Sequence, residues 1–88
     1  MEYASNATLD ISNFITESNT DHYYEKTVLI YNKSNNDITL GLPTSTSVAI
    51  IPMTSFPLTV GGNKYAEIVV TYYPKETGKS ILTINGGV

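Results

Sequence analysis

The fold class of this 88-residue chain is decided by one stretch, AEIVVTYYPKETG, which runs from Ala66 to Gly78. Alternate residues fall on opposite faces of an extended chain, and most of them are β-branched or aromatic, which is the pattern of a strand. One face carries Ala66, Ile68, Val70 and Tyr72, and the other carries Glu67, Val69, Thr71 and Tyr73. Pro74 has no N–H to continue a ladder, and Gly78 can reverse the chain at low steric cost. The stretch therefore predicts a strand followed by a turn.

Six further strands are predicted around this one, because apolar and polar residues alternate in segments that are separated by turn residues. These segments are residues 8–15, 23–31, 38–42, 48–51, 56–60 and 80–84. Seven short strands at a spacing of roughly 8–12 residues are typical of a seven-stranded antiparallel immunoglobulin-like sandwich. No helical period is present, so we expect an all-β domain with almost no helix.

The inward-facing positions of these strands predict the hydrophobic core. The predicted core residues are Leu9, Ile11, Val28, Ile30, Ile38, Leu40, Val48, Ile50, Phe56, Leu58, Val60, Ile68, Val70, Tyr72, Leu82 and Ile84. The chain is predicted to be one domain at residues 8–88, preceded by a flexible N-terminal arm at residues 1–7. Residues 17–22 are predicted to form a turn-rich loop.

Composition excludes several classes of function. The chain has no cysteine, so it can form no disulfide and carries no thiolate. All five basic residues are lysines, and the net charge is −3. Arginine is the side chain best suited to phosphate and guanine contacts, and its absence argues against nucleic-acid binding.

Neither a membrane helix nor a signal peptide is predicted. No apolar run approaches the ~20 residues that a membrane helix needs. The segment MEYASNATLD has neither the basic nor the apolar region of a signal peptide. The compartment is not assigned, although a polar surface rich in Asn, Ser and Thr favours a virion or a cell surface.

Several short motifs follow one another in an order that is found in a known family. VLIYN at 28–32 ends a strand in Asn, and after a polar turn comes ITL at 38–40. FPLTV at 56–60 meets a Gly turn, VTYYPKETG at 70–78 is close to V-x-F-x-P-x-x-x-G, and LTI follows at 82–84. Over residues 9–85 this order resembles the Hydin-type immunoglobulin-like domains, relatives of the major sperm protein fold. The chain departs from them at Tyr72, where the family usually has Phe, and in lacking an aromatic-Gly pair in the opening strand.

The resemblance implies a seven-stranded sandwich with a scaffolding or adhesive role. It implies no catalytic residue, because the family has no shared active site. The residue patterns, taken without the resemblance, also predict a β-sandwich with a structural or binding role.

Chemistry-bearing residues are few and scattered. His22 is the only histidine, it lies beside Asp21 in a polar loop, and no nucleophile motif surrounds any serine. The carboxylates lack the spacing of a calcium loop; the nearest candidate, NKSNND at 32–37, is better explained as a polar turn. We expect no enzymatic activity, no metal and no cofactor.

The tyrosines are the more informative side chains. Tyr31 and Tyr73 are predicted to point outward on neighbouring strands, flanked by Leu29, Val69 and Thr71. Exposed tyrosine with apolar neighbours is typical of contact surfaces, so these five residues are the candidate partner-contact site. The alternative is ordinary cross-strand packing, which also favours aromatic residues.

The sequence therefore predicts a structural or interaction module. The favoured role is an accessory or decorating subunit of a larger assembly, such as a phage or virus particle. An excised immunoglobulin-like domain of a bacterial surface or adhesion protein is the alternative, and a carbohydrate-binding module is a third. The expected partner is protein, and the arm at residues 1–7 is a candidate for strand exchange in a homo-oligomer, because sheet edges accept strands.

Overall fold

In a computed structural model, which describes residues 1–15 and 19–86, the chain forms two β-sheets that share one hydrophobic core. The prediction of an all-β fold is confirmed. Eight strands and one short 3-10 helix are present in these residues. They are β1 Glu2–Tyr3, β2 Ala7–Thr8, the 3-10 helix Ser12–Phe14, β3 Tyr24–Asn32, β4 Ile38–Gly41, β5 Val48–Pro52, β6 Leu58–Val60, β7 Tyr65–Tyr73 and β8 Ser80–Gly86. Residues 17 and 18 of the predicted loop, and residues 87 and 88 of the predicted domain, lie outside the described residues.

The larger sheet has the strand order β1-β3-β7-β8-β5. Its central strand β7 is the predicted dominant strand, and it pairs antiparallel with both β3 and β8. Alternation along β7 buries Ala66, Ile68, Val70 and Tyr72 against the core. A strand in the middle of a sheet has a neighbour on each side, so all its backbone N–H and C=O groups can form hydrogen bonds. Its apolar side packs on the core.

The smaller sheet has the order β2-β4-β6. β4 and β6 pair antiparallel, and they bury Ile38, Leu40, Leu58 and Val60. β6 begins at Leu58 rather than at the predicted residue 56. Pro57, which cannot donate to a ladder, stands immediately before it.

The predicted topology of seven antiparallel strands differs from the observed one. Three pairs are parallel: β1 with β3, β2 with β4, and β5 with β8. Each of these pairs joins strands that are not connected by a hairpin, so no tight turn imposes an antiparallel direction. The parallel pairs include both edges of the larger sheet.

The predicted first strand, residues 8–15, is wrong. β2 ends at Thr8, and a 3-10 helix follows at Ser12–Phe14. The Asp10 carboxylate accepts hydrogen bonds from the Ser12 N–H at 2.9 Å and the Ser12 hydroxyl at 2.7 Å. Such a local side-chain turn competes with a strand ladder. Leu9 and Ile11 are nevertheless buried, so the core prediction holds at both positions.

The core agrees closely with the prediction. All the predicted residues are buried except Val28, Ile50 and Phe56, which are half-buried and pack against the core. Ala66 is an additional member.

Asn32 joins the two sheets at one corner of the core, although it is polar. It is fully buried at the end of β3. Its side-chain amide donates to the carbonyl oxygens of Asn36 at 2.7 Å, Val60 at 3.0 Å and Gly61 at 3.2 Å. Its side-chain oxygen accepts from the backbone N–H and the hydroxyl of Ser34. Because Val60 belongs to β6, this single side chain ties the larger sheet to the smaller one.

Candidate protein-contact face

The larger sheet turns one side away from the core, and this side is the candidate site. We call it the outer face: the odd-numbered residues of 25–31, 49–51, 65–73 and 81–85, together with Glu2 and with Tyr23, which stacks on Tyr73. The register fixes this set apart from Tyr23, because residues paired across neighbouring strands point to the same side of a sheet. Their even-numbered neighbours point into the core.

The outer face holds most of the exposed large hydrophobic residues of the described chain. Seven such residues are exposed, and all but Met1 and Met53 lie on this face. They are Tyr23, Leu29, Ile51, Tyr65 and Tyr73. Single exposed apolar residues are ordinary on protein surfaces, whereas several large ones on one face are typical of an interaction site.

Two stacked tyrosine pairs lie at opposite ends of the outer face. Tyr31 lies directly across from Tyr65, with ring centroids 4.6 Å apart and ring planes inclined by 28°. Tyr23 stacks on Tyr73 at the other end, with a centroid distance of 5.6 Å and an angle of 29°. The two pairs are about 26 Å apart along β3, at ~3.3 Å per residue.

The five candidate contact residues all fall on the outer face, but they do not form one cluster. Tyr31 and Tyr73 lie at opposite ends of the face, and each stacks on a different tyrosine. Leu29 is 51% exposed and Tyr73 is 38% exposed, while Tyr31 and Val69 are half-buried.

Thr71 is a correction to the candidate site, because it is only 7% exposed. It lies near the end of β7, between Glu25 on β3 and Thr83 on β8. Side chains on both neighbouring strands therefore flank it. It can contribute little to a contact surface.

Sequence reasoning missed the two most exposed tyrosines, Tyr23 and Tyr65, which are 64% and 56% exposed. The odd or even position of each residue within its strand could have found them, because residues two apart in a strand point to the same side. Tyr65 is an even number of residues from Tyr73 and comes immediately before Ala66, where the predicted strand begins. Tyr23 shares the parity of Tyr31.

The charge of the outer face is acidic. It carries Glu2, Glu25 and Glu67. Glu2 lies at the rim, where its carboxylate is 3.9 Å from the ammonium of Lys33. Glu67 lies further in, directly across from Leu29 and two residues from both Tyr65 and Val69.

The other titratable residues considered as site candidates either form hydrogen bonds within loops and turns or lie away from the outer face. Asp37 accepts a hydrogen bond from the Gly62 N–H at 3.1 Å, and His22 is exposed in the loop before β3. The backbone N–H and the hydroxyl of Ser12 hold the pKa of the Asp10 carboxyl below its ordinary value. Across residues 1–15 and 19–86, no three His, Asp or Glu side chains come together as metal ligands would.

The N-terminal arm lies along its own chain. The Met1 carbonyl accepts from the Tyr31 N–H, and the Tyr3 carbonyl accepts from the Lys33 N–H, both at 2.9 Å. Residues 7 and 8 then pair with β4 of the smaller sheet. The arm therefore occupies one edge in each sheet, and β1 covers only the end of β3 that is near Tyr31.

No family model, no curated protein and no solved structure matches this chain. In the part of the chain that the structure describes, no helix has the length and apolar character needed to cross a membrane.

Proposed function

We propose that this protein is a non-enzymatic interaction module that binds another protein through the outer face of its larger sheet. One observation carries the proposal: of the seven exposed large hydrophobic residues in the described part of the chain, five lie on that single face. Tyrosine is enriched at protein interfaces, because it supplies a large contact area and a hydrogen-bonding hydroxyl at a low cost in side-chain entropy.

The dimensions of the face indicate the kind of contact. A face about 26 Å long and about 20 Å wide, from strands spaced ~4.8 Å apart, covers roughly 500 Å². A standard stable interface buries about 800 Å² on each partner. The outer face is thus large enough for the centre of an interface, and a stable complex also requires contacts along its rim.

A role as an accessory or decorating subunit of a larger assembly, such as a virus particle, fits a small domain with one apolar face. A domain of a bacterial surface protein would use the same face. We also propose the Hydin-type immunoglobulin-like relationship. Its support is the order of the motifs, since VLIYN, ITL and the strand before Pro74 fall in β3, β4 and β7.

Photo-crosslinking tests the contact. A benzophenone amino acid is placed at position 23 or 65 on the outer face, or at the exposed position 59 on the outward side of the smaller sheet as a matched control. The protein is expressed in its native source and irradiated. We expect one protein adduct from positions 23 and 65 and none from position 59. Equal adducts from all three positions, or none from either outer-face position, would refute the proposal.

A further inference from the structure

We propose that the partner presents Lys or Arg side chains to Glu67, beside an apolar centre that covers Leu29 and Tyr65, and to Glu25, which lies nearer the other end of the outer face. This inference rests on the proposed function and names the chemistry of the partner. It follows from what covering the face does to its carboxylates.

Glu67 cannot be avoided by a partner that binds the exposed apolar residues. It lies directly across from Leu29, and Tyr65 and Val69 are its neighbours on the same side of β7. A protein surface that covers Leu29 and Tyr65 therefore also removes water from the Glu67 carboxylate. Burying a carboxylate without a counter-charge is strongly unfavourable. The partner must supply the positive charge if this protein does not.

The chain itself brings no lysine to the interior of the outer face. Lys26 points to the core side of β3, where its ammonium lies 6.0 Å from the centre of the Phe14 ring. Lys33 is paired with Glu2 at the rim. The remaining lysines lie in the connections between strands: Lys64 before β7, and Lys75 and Lys79 between β7 and β8.

The same charges disfavour a second copy of this chain as the partner. Face-to-face packing of two copies would bring the carboxylates of one outer face against those of the other, and like charges across an interface are destabilising. Glu25 pairs with Thr71, four residues along β7 from Glu67. The two glutamates are therefore about 14 Å apart. A complementary partner carries two basic groups at a similar spacing.

A displayed library of random peptides serves as the probe. It is selected at low salt against the full chain, and the enriched peptides are measured against three variants. Glu25→Gln/Glu67→Gln removes the two carboxylates. Asp21→Asn/Glu76→Gln is the matched control, because it removes two exposed carboxylates outside the outer face. Tyr23→Ser/Tyr65→Ser tests the face itself.

We expect enriched peptides to combine Lys or Arg with aromatic or aliphatic residues. Their affinity should fall about tenfold to a hundredfold on the Glu25→Gln/Glu67→Gln variant, stay unchanged on the charge control, and fall steeply with added salt. Neutral or acidic peptides that still lose affinity on the tyrosine variant would overturn this inference and leave the proposed function standing. Peptides that bind the tyrosine variant as well as the unaltered chain would overturn both. Salt-independent dimerisation of the chain through this face would also overturn the inference.

Discussion

The two sheets present very different surfaces to solvent. The outward side of the smaller sheet carries Thr39 across from Thr59, with Thr8 beside Gly41. The outward side of the larger sheet carries tyrosine, leucine and isoleucine. On the inward side, each sheet buries an alternating row of aliphatic residues. Folding therefore requires apolar residues on the inward sides alone.

Strand preference does not explain the difference between the two surfaces. Threonine and tyrosine both favour extended structure. The smaller sheet satisfies this preference with threonine, and so does the middle of the larger sheet, at Thr27, Thr71 and Thr83. The outer face could have been built with threonine throughout. Strand formation alone therefore does not require its tyrosines and aliphatic residues.

The largest expected loss of stability comes from a substitution of Asn32, which holds both sheets together at one corner of the core. Replacing Asn32→Ala leaves the Val60 and Gly61 carbonyls and the Ser34 N–H without their partner in or beside a buried corner. We expect the free energy of unfolding to fall by about 3 kcal/mol or more, because unpaired buried groups keep their full desolvation cost. Urea denaturation measures it.

Asn35→Ala is the matched control for Asn32→Ala. The Asn35 side chain accepts a single exposed hydrogen bond from Asn63 at 2.8 Å. Its removal should cost about 0.5 kcal/mol or less. If both variants lose the same stability, Asn32 does not tie the sheets together.

Removal of residues 1–6 tests the arm that reaches both sheets. The deletion removes β1 and the half-buried Tyr3, so we expect the free energy of unfolding to fall by about 1–3 kcal/mol while the chain still folds. It also bares the edge of β3, and an unpaired edge promotes self-association. Size-exclusion chromatography over a range of concentrations measures this.

A synthetic peptide of residues 1–6 completes the test of the arm. Strand exchange requires that the peptide bind the truncated chain and suppress its self-association. Glu2→Gln is the control, because it removes only the exposed ion pair and should change stability by less than about 0.5 kcal/mol. A truncated chain that neither associates nor binds the peptide would rule out exchange through this edge.

The alternation of apolar and polar residues correctly predicted which side of the long strands faces the core. β3, β7 and β8 are long enough for parity to show which side faces the core, and the predicted core follows from them. Strand direction is different, because it depends on how the chain crosses between sheets, and the pattern within a strand is the same in both directions. The strand β5 was therefore predicted without its parallel direction, and β1 and β2 were not predicted.

The shortest elements carry too few residues for any pattern. β1 and β2 have two residues each, and only their backbone bonds define them. Asn32 was within reach of sequence reasoning, because it shares parity with Val28 and Ile30 and had to point inward. Thr71 was not, since its burial arises from flanking strands whose registers were unknown.

The coupling energy between paired side chains can be measured on the outward surface of each sheet. A double-mutant cycle with Tyr31→Ser and Tyr65→Ser should give a coupling energy of about 0.5–1.5 kcal/mol, as expected of stacked rings. The Tyr23–Tyr73 pair should couple less strongly, because its centroids are 5.6 Å apart rather than 4.6 Å. Thr39 and Thr59 are the matched pair on the smaller sheet, for which we expect a coupling of at most a few tenths of a kcal/mol. Equal coupling for all three pairs would mean that the tyrosines add nothing beyond ordinary strand pairing.

The smallest effect concerns the turn that leads from the smaller sheet to the larger one. The pKa of Asp10 is lowered from 3.8, first by the backbone N–H of Ser12 and then by its hydroxyl. Since the folded-state pKa is below the unfolded one, this turn stabilises the fold above the unfolded value, and the contribution is lost as the pH falls through the folded value. Ser12→Ala removes the hydroxyl and keeps the N–H, so the pKa should rise only part of the way back. Carboxyl chemical shifts in an NMR titration measure the change, with Asn13→Ala as the neutral control. A full return to 3.8 would show that the hydroxyl, and not the backbone, is the main cause of the shift.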